Sequence, residues 1–263
     1  MILLPLQDSA SGCASYIVGD EATGRALVVD PLASLGVPAY VLALADAGLH
    51  AALVIDTHVH AGHLSAAREL AATLRTPLGL HRSAPATYAF EPLREGQHLD
   101  LGQLDVLVLE TPGHTPDGVS LVVTDRSRAH EPWAVLTGDA LFVGDVGRPD
   151  LAADDEDDAR AAAAALFSSL HEKILALPDT VEVYPAHFGA STCGGLFLNK
   201  KTSSTIGFER RHNRLLQIAD RDAFVDQVLA LRKPPPETAQ ALRRANLGHD
   251  DEAVAVAQRE VVA

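Results

Sequence analysis

The side chains best suited to chemistry in this chain cluster in Asp56-Thr57-His58-Val59-His60-Ala61-Gly62-His63. Three histidines fall within six residues, directly after the apolar run Ala51-Ala52-Leu53-Val54-Ile55. On extended backbone, alternate side chains point the same way, so His58 and His60 can converge on one point. His63 stands where the next helix should begin. Neutral imidazole is the most common side-chain metal ligand, and so tight a cluster behind a buried-looking strand suits a metal better than an ordinary surface turn. Three further loops add His114, Asp139 and His187, each after an apolar strand. Loops at strand ends are where α/β folds gather catalytic groups. Gly113 and Gly138 each precede a candidate ligand, where a missing side chain permits a tight turn and close approach. One such loop is weak evidence, whereas four in one chain point to a metal centre.

The elements that must position these groups follow from periodicity and punctuation. Strand-like segments cover 1–6, 14–19 and 25–30, separated by turn-rich stretches. A helix is predicted over 37–48 with Gly48 as its stop, then the strand 53–55 that delivers the histidine loop, then a helix over 65–74. After a short strand at 78–81 comes an irregular stretch around Pro85 and Pro92, followed by strands at 104–110, 119–124 and 133–137. A helix over 157–177 and a strand over 181–184 lead to Pro185-Ala186-His187. Residues 189–205, rich in Gly, Ser and Thr, read as a long functional loop. Residues 207–232 read as helical, Lys233-Pro234-Pro235-Pro236 breaks the chain, and a last helix covers 237–245. The sequence leaves the packing of the tail after Gly248 open. Alternation of strand and helix indicates a layered α/β fold, and the expected organisation is a single domain over 1–263 with a helical C-terminal extension from about 207.

Composition sets the outer limits. With 263 residues and 47% apolar content the chain can build a sizeable core. A formal net charge of -14 argues against nucleic-acid or anionic-membrane partners. The run Asp154-Asp155-Glu156-Asp157-Asp158 reads as a solvated helix start. Cys13 and Cys193 are the only cysteines, which argues against a disulfide scaffold. No leader and no apolar run of spanning length is apparent, so the expectation is a soluble, cytoplasmic protein.

The order Thr57-His58-x-His60-x-x-His63, Thr111-Pro112-Gly113-His114-Thr115, Thr137-Gly138-Asp139 and Pro185-Ala186-His187 resembles the metallo-β-lactamase superfamily. That resemblance implies an αββα sandwich, two mixed β-sheets flanked by helices, with metal at one edge. Two longer stretches look like the persulfide dioxygenase branch, neighbours of the glyoxalase II hydrolases. They are 138–151, from Gly138-Asp139-Ala140 to Asp150-Leu151, and Ser203-Ser204-Thr205-Ile206-Gly207-Phe208-Glu209-Arg210-Arg211, with Cys193-Gly194 shortly before the second. Bacterial members often carry a fused rhodanese domain; by its length this chain is expected to lack one. A sulfurtransferase partner in trans is then the corresponding expectation.

By that resemblance one Fe(II) per chain is held by His58, His114 and Asp139, the two-imidazole, one-carboxylate triad of non-haem iron oxygenases. His60, His63 and His187 stand behind these ligands, orienting them and holding ordered water. In the hydrolases, zinc or mixed metals fill two sites. His58, His60 and His114 hold one; a carboxylate at position 62, His63, Asp139 and His187 hold the other. Gly62 departs from both patterns: it removes a ligand of the second metal and a hydrogen-bond acceptor beside the first. Water or Asp56 are the candidate substitutes.

Arg148 has two open readings, pairing with Asp145 or Asp150, or engaging the substrate's carboxylate or persulfide near the iron. Tyr184 likewise reads either as a strand-end core tyrosine or as a hydrogen-bond donor to a sulfur or oxygen intermediate. Cys193, in a Gly-rich loop beside the expected site, is a candidate for persulfide capture. Cys13 reads as structural, and Lys200 and Lys201 as solvated charges. The implied activity is oxidation of glutathione persulfide, or a similar low-molecular-weight thiol persulfide, with O₂ to sulfite and thiol. The alternatives are a glyoxalase II-type thioester hydrolase and a metal-binding sulfur-metabolism protein with weak or no catalysis. A homodimer is the family expectation.

Overall fold

The computed structural model describes residues 1–189 and 191–249; the rest of the tail after Gly248, left open above, lies outside the described residues. The first half of the chain builds one sheet. Its strands are β1 (Ile2–Asp8), β2 (Cys13–Gly19), β3 (Arg25–Val29), β4 (His50–Ile55), β5 (Leu78–His81) and β6 (Glu91–Leu93), in that spatial order. β1 to β3 form an antiparallel meander, and β3 to β6 run parallel. Helices α1 (Val37–Asp46) and α2 (Ala67–Leu74) make the parallel crossovers. The second sheet has the order β12-β11-β10-β9-β8-β7, from β7 (His98–Asp100), β8 (Leu104–Glu110), β9 (Val119–Asp125), β10 (Ala134–Gly138), β11 (Glu182–Pro185) and β12 (Ser204–Thr205). The helices α3 (Glu156–Ser168), α4 (Ile206–His212), α5 (Arg221–Ala230) and α6 (Ala239–Asn246) complete the fold.

The strand sequences dictate the layering. Tyr16, Val18, Leu27, Val29, Leu53 and Ile55 face Val106, Val108, Leu121, Val123 and Leu136 across the inter-sheet core. The alternate residues Ile17, Val28 and Val54 turn outward to Tyr40, Leu44 and Leu70 of α1 and α2. On the far side Val122, Val135 and Val183 meet Leu166, Leu170 and Phe224. Strands buried on both faces must be apolar at successive positions rather than at alternate ones, as Ala26-Leu27-Val28-Val29 and Ala134-Val135-Leu136 are. The result is the expected αββα sandwich of two mixed sheets flanked by helices. None of the described helices is long and apolar enough to cross a membrane.

Four departures from the sequence reading have local causes. β6 and β7 are three-residue strands inside the stretch read as irregular, too short to carry a periodicity. β12 is a two-residue strand within the stretch read as loop. The helix predicted over 157–177 ends at Ser168 and continues as a π-helical turn, where Ser169 Oγ donates to Pro112 O at 2.7 Å. Residues 207–232 are not one helix: Asn213, extended after α4, sends Nδ2 to Asp145 O (3.1 Å) and Glu209 Oε2 (3.0 Å). A new helix, α5, is then capped by Asp220, whose Oδ1 accepts from Ala223 N. The acidic run before α3 has the helix-start role expected: Asp155 caps through Asp158 N, and three acids in the first turn face the positive end of the dipole.

The two sheets are sewn together at the edge where the candidate ligands gather. Ala14 N donates to Ala186 O (2.7 Å) and Phe188 N to Gly12 O (2.8 Å), setting Cys13 opposite His187. Tyr16 OH donates to Pro185 O at 2.7 Å. Elsewhere Asp20, 3% exposed, ties the β2–β3 turn to the β7–β8 turn by accepting from Gln103 N, Ala22 N and Thr23 Oγ1. Burial pushes its carboxyl up, but those donors, Gln103 first, outweigh it and hold the group below the ordinary 3.8. Its contribution to stability is therefore present above that value and is lost as pH falls through the lower folded value. Asp20→Ala should lower the melting temperature most near neutral pH, with the gap to wild type closing below pH 3.8; a gap that stays constant with pH would remove this assignment.

Candidate metal centre

His58 comes from the loop after β4, His114 from the loop after β8, and Asp139 follows β10 directly. Their ligand atoms lie within 4.8 Å of one another, and all three residues are buried. His114 Nε2 is 3.2 Å and His58 Nε2 3.5 Å from Asp139 Oδ2. None of these three atoms has a hydrogen-bond partner.

The remaining polar atoms of the triad are committed, and this decides the tautomers. Thr57 Oγ1 donates to Asp30 (2.9 Å), so it accepts from His58 Nδ1 at 3.1 Å. His114 Nδ1 donates to Arg148 O at 2.8 Å. Both histidines thus carry their proton on Nδ1 and turn an Nε2 lone pair toward Asp139 Oδ2. Burial pushes both imidazoles below their ordinary pKa, His58 the further, which keeps them neutral. Burial raises the Asp139 carboxyl, but His187, which also donates to it, outweighs that and holds it well below the usual range. Three converging acceptors without a donor form a seat for a cation, and two imidazoles with one carboxylate fit a divalent metal such as iron or zinc.

A family model for the metallo-β-lactamase superfamily matches residues 9–187, which span the inter-sheet core and every loop of this centre. The chain belongs to the metallo-β-lactamase superfamily. Among curated relatives it is 27% identical over 247 residues to human mitochondrial persulfide dioxygenase ETHE1, covering 94% of this chain and 88% of that protein. Among solved structures it is similar to ETHE1 from Myxococcus xanthus, with a TM-score of 0.79 and 31% identity over 95% of this chain and 100% of that one. A metallo-β-lactamase from Staphylococcus aureus gives a TM-score of 0.86 at 27% identity, covering 95% of this chain and 73% of that one.

Within this superfamily frame the other histidines sit apart from the triad's open face. His60 turns away, its Nε2 3.0 Å from Asp30 Oδ1 and 3.8 Å from Asp56 Oδ1. His187 Nδ1 donates to Asp139 Oδ1 at 2.6 Å, leaving Oδ2 for the cation. Burial lowers the His187 pKa, but the Asp139 carboxylate, close by and hydrogen-bonded to it, outweighs that and pulls it well up. His63, half-buried, lies between His60 (4.1 Å between ring centres) and His187 (5.4 Å) with its ring tilted to both and both nitrogens unpartnered. Gly138, at φ 51°, is required beside Asp139, since a Cβ there would lie 2.6 Å from Thr57 Oγ1.

Gly62 is explained by its neighbour. A Cβ at position 62 would lie 2.3 Å from Cys193 Sγ, so the cysteine fills the space that an aspartate side chain would take. Asp56 is not the substitute: its carboxylate accepts from Ser65 Oγ at 2.7 and 3.0 Å.

Of the two readings left open for each, Arg148 and Tyr184 are seen here bonded to protein groups. Every N–H of the buried Arg148 guanidinium has a protein acceptor: Asp150 Oδ1 and Oδ2, Lys233 O, Pro234 O and Thr192 O. It braces the loop after Asp139 against the proline segment, the pairing with Asp150 that its other reading offered, and its carbonyl orients His114. The Tyr184 hydroxyl donates to Glu182 Oε2 at 2.5 Å, and its ring packs edge-on against Tyr16, 5.7 Å between centres. Lys200 and Lys201 are exposed.

Several residues that the sequence reading missed support the centre. Asp30, at a left-handed φ of 51°, accepts from Thr57 N, Thr57 Oγ1 and His60. An acid in strained backbone at a strand end is a functional signature, and its place after Val28-Val29 was the available sequence signal. Asp117 Oδ2 accepts from Val59 N at 2.8 Å. Glu209 and Asn213, in and just after the Ser203–Arg211 motif, hold the loop after Asp139 through Gly144 N and Asp145 O. Asn246 of α6 donates to His60 O (2.8 Å) and His63 O (2.9 Å) and accepts from Ser65 N (3.0 Å), clasping the histidine loop. No local pattern announces a residue that acts across 183 positions of chain.

Two outcomes follow. Thr57→Ala frees His58 Nδ1 and should weaken metal binding about 10–100-fold, read by competition against a chelator; unchanged affinity would deny Thr57 its orienting role. Asn246→Ala strands three backbone groups and should cost about 1–3 kcal/mol by urea unfolding, with faster amide exchange confined first to residues 60–65.

Proposed function

We propose that the chain is a persulfide dioxygenase that uses one Fe(II) to oxidise glutathione persulfide, or a similar low-molecular-weight thiol persulfide. The observation that carries this reading is the buried triad of His58 Nε2, His114 Nε2 and Asp139 Oδ2, a two-imidazole, one-carboxylate set with no donor among its atoms. The likeness to human and Myxococcus xanthus ETHE1 over nearly the whole chain supports it.

Iron in such a triad supplies the redox chemistry that joins a sulfur substrate to O₂. In the overall reaction the terminal persulfide sulfur takes both oxygens of O₂ and one from water, and its S–S bond breaks. It leaves as sulfite, the remaining thiol keeps one hydrogen, and two protons are released. The protein's own task is to hold the ligand atoms in one arrangement. Thr57 and the Arg148 carbonyl keep the Nδ1 protons of His58 and His114 in place, so neither ring flips or charges. His187 holds Asp139 Oδ1, which leaves one carboxylate oxygen, not two, for the metal. Asp30 anchors Thr57 and His60 behind the site. The thioester-hydrolase reading is disfavoured because Cys193 fills the place of the carboxylate that a second hydrolytic metal would take at position 62.

The test is O₂ uptake by anaerobically purified, iron-loaded protein supplied with glutathione persulfide, with sulfite assayed in parallel. Equal uptake and sulfite release are expected, and His114→Ala should lose both iron and activity. Thioester hydrolysis without O₂ uptake, or full activity in His114→Ala, would overturn the proposal.

A further inference from the structure

The triad leaves a second group of donors unused. Cys13 Sγ, a nitrogen of His63 and a nitrogen of His187 lie within 4.8 Å of one another. Three features of the fold put them there. The bridge between the start of β2 and the segment after β11 sets Cys13 opposite His187, so their side chains stand next to each other. Asn246 clasps the backbone of His63. His187, fully buried, gives its Nδ1 proton to Asp139, which turns Nε2 toward the thiols, and that Nε2 has no hydrogen-bond partner. Neither nitrogen of His63 has one either. Cys193 Sγ, also fully buried, lies within the same distance of His187 and Asp139 and fills the space beside Gly62.

We propose that Cys13, His63 and His187 form a separate thiolate–imidazole site for a soft divalent cation, Zn(II) in particular. One thiolate sulfur and two imidazole nitrogens, with water in the fourth position, fit tetrahedral zinc. Thiolate donors favour zinc over oxygen-preferring cations. The hydrolase arrangement described above shares His63 and His187 but relies on two carboxylates. Here Gly62 offers none and Asp139 Oδ1 is occupied by His187, so the Cys13 sulfur serves where the hydrolases use oxygen. The site does not depend on the reaction assigned to the triad, because its cation is bound by different atoms.

Co(II), added alone to metal-free, reduced protein under anaerobic conditions, is the probe, because a cobalt–thiolate bond produces a near-ultraviolet sulfur-to-metal charge-transfer band that imidazole and carboxylate ligands do not. Wild type is expected to take up two equivalents, one of them with the band, and excess Zn(II) should bleach that band. His114→Ala should lose the other equivalent and keep the band. Cys13→Ser and His63→Ala should each lose the band together with one equivalent. The two variants disturb different elements, and thermal melts of each separate lost binding from lost folding. A wild-type protein without the band, or a band that survives in folded Cys13→Ser, would overturn the proposal. Failure of the O₂-uptake assay would leave these metal stoichiometries unaffected, so the two readings fail independently.

Discussion

The constraint on which this molecule turns is the meeting of three buried lone-pair acceptors, His58 Nε2, His114 Nε2 and Asp139 Oδ2, with no donor between them. Left without a cation, such a cluster is costly, because buried polar atoms without partners forfeit the hydrogen bonds they had in water. The protein nonetheless maintains it by satisfying the far side of each ligand. Thr57, the Arg148 carbonyl and His187 each take one bond, and every one of them is held in turn: Thr57 by Asp30, Arg148 by Asp150, and His187 by the backbone bridge to β2.

The sandwich exists to make that support rigid. Strands buried on both faces leave little freedom at their ends, so the loops after β4, β8 and β10 leave a fixed frame. The cross-sheet contacts are placed where they matter for the site. Tyr16 reaches Pro185, Ala14 reaches Ala186, and Val119 N donates to Thr57 O. The C-terminal helices add a second frame from outside, since α4 supports the loop after Asp139 and α6 clasps the histidine loop. An apparently peripheral extension is thereby part of the centre's architecture.

Much of the fold was legible in the chain. Runs such as Ala26-Leu27-Val28-Val29 and Ala134-Val135-Leu136 announce doubly covered strands, and Gly48, at φ 67°, stops α1 where its residue type says it should. The three-residue β6 and β7 were not legible, because so few positions carry no period. The helix predicted over 157–177 changes to π and 3-10 turns after Ser168, and that over 207–232 is interrupted at Asn213, whose side chain bonds to distant backbone. At the site, the ligand residues were marked by type and by their position after strands. Arg148 and Tyr184 were not decided, since whether an arginine faces a ligand or Asp150 depends on what the fold places near its fork.

The sequence by itself determined the donor chemistry: which loops carry imidazole or carboxylate, and that position 62 carries neither. These are local properties, written in residue identity and strand-end spacing. Only the tertiary structure decided the company each donor keeps. Cys13 and His187 are opposed because β2 of one sheet bridges to the end of β11 of the other. Cys193 fills the space beside Gly62 because its loop folds back over the site, and Asn246 grips the histidine loop because α6 packs beside it. None of these pairs is close in the chain, and a contact between remote residues is set by how the layers pack, which no short stretch of sequence records.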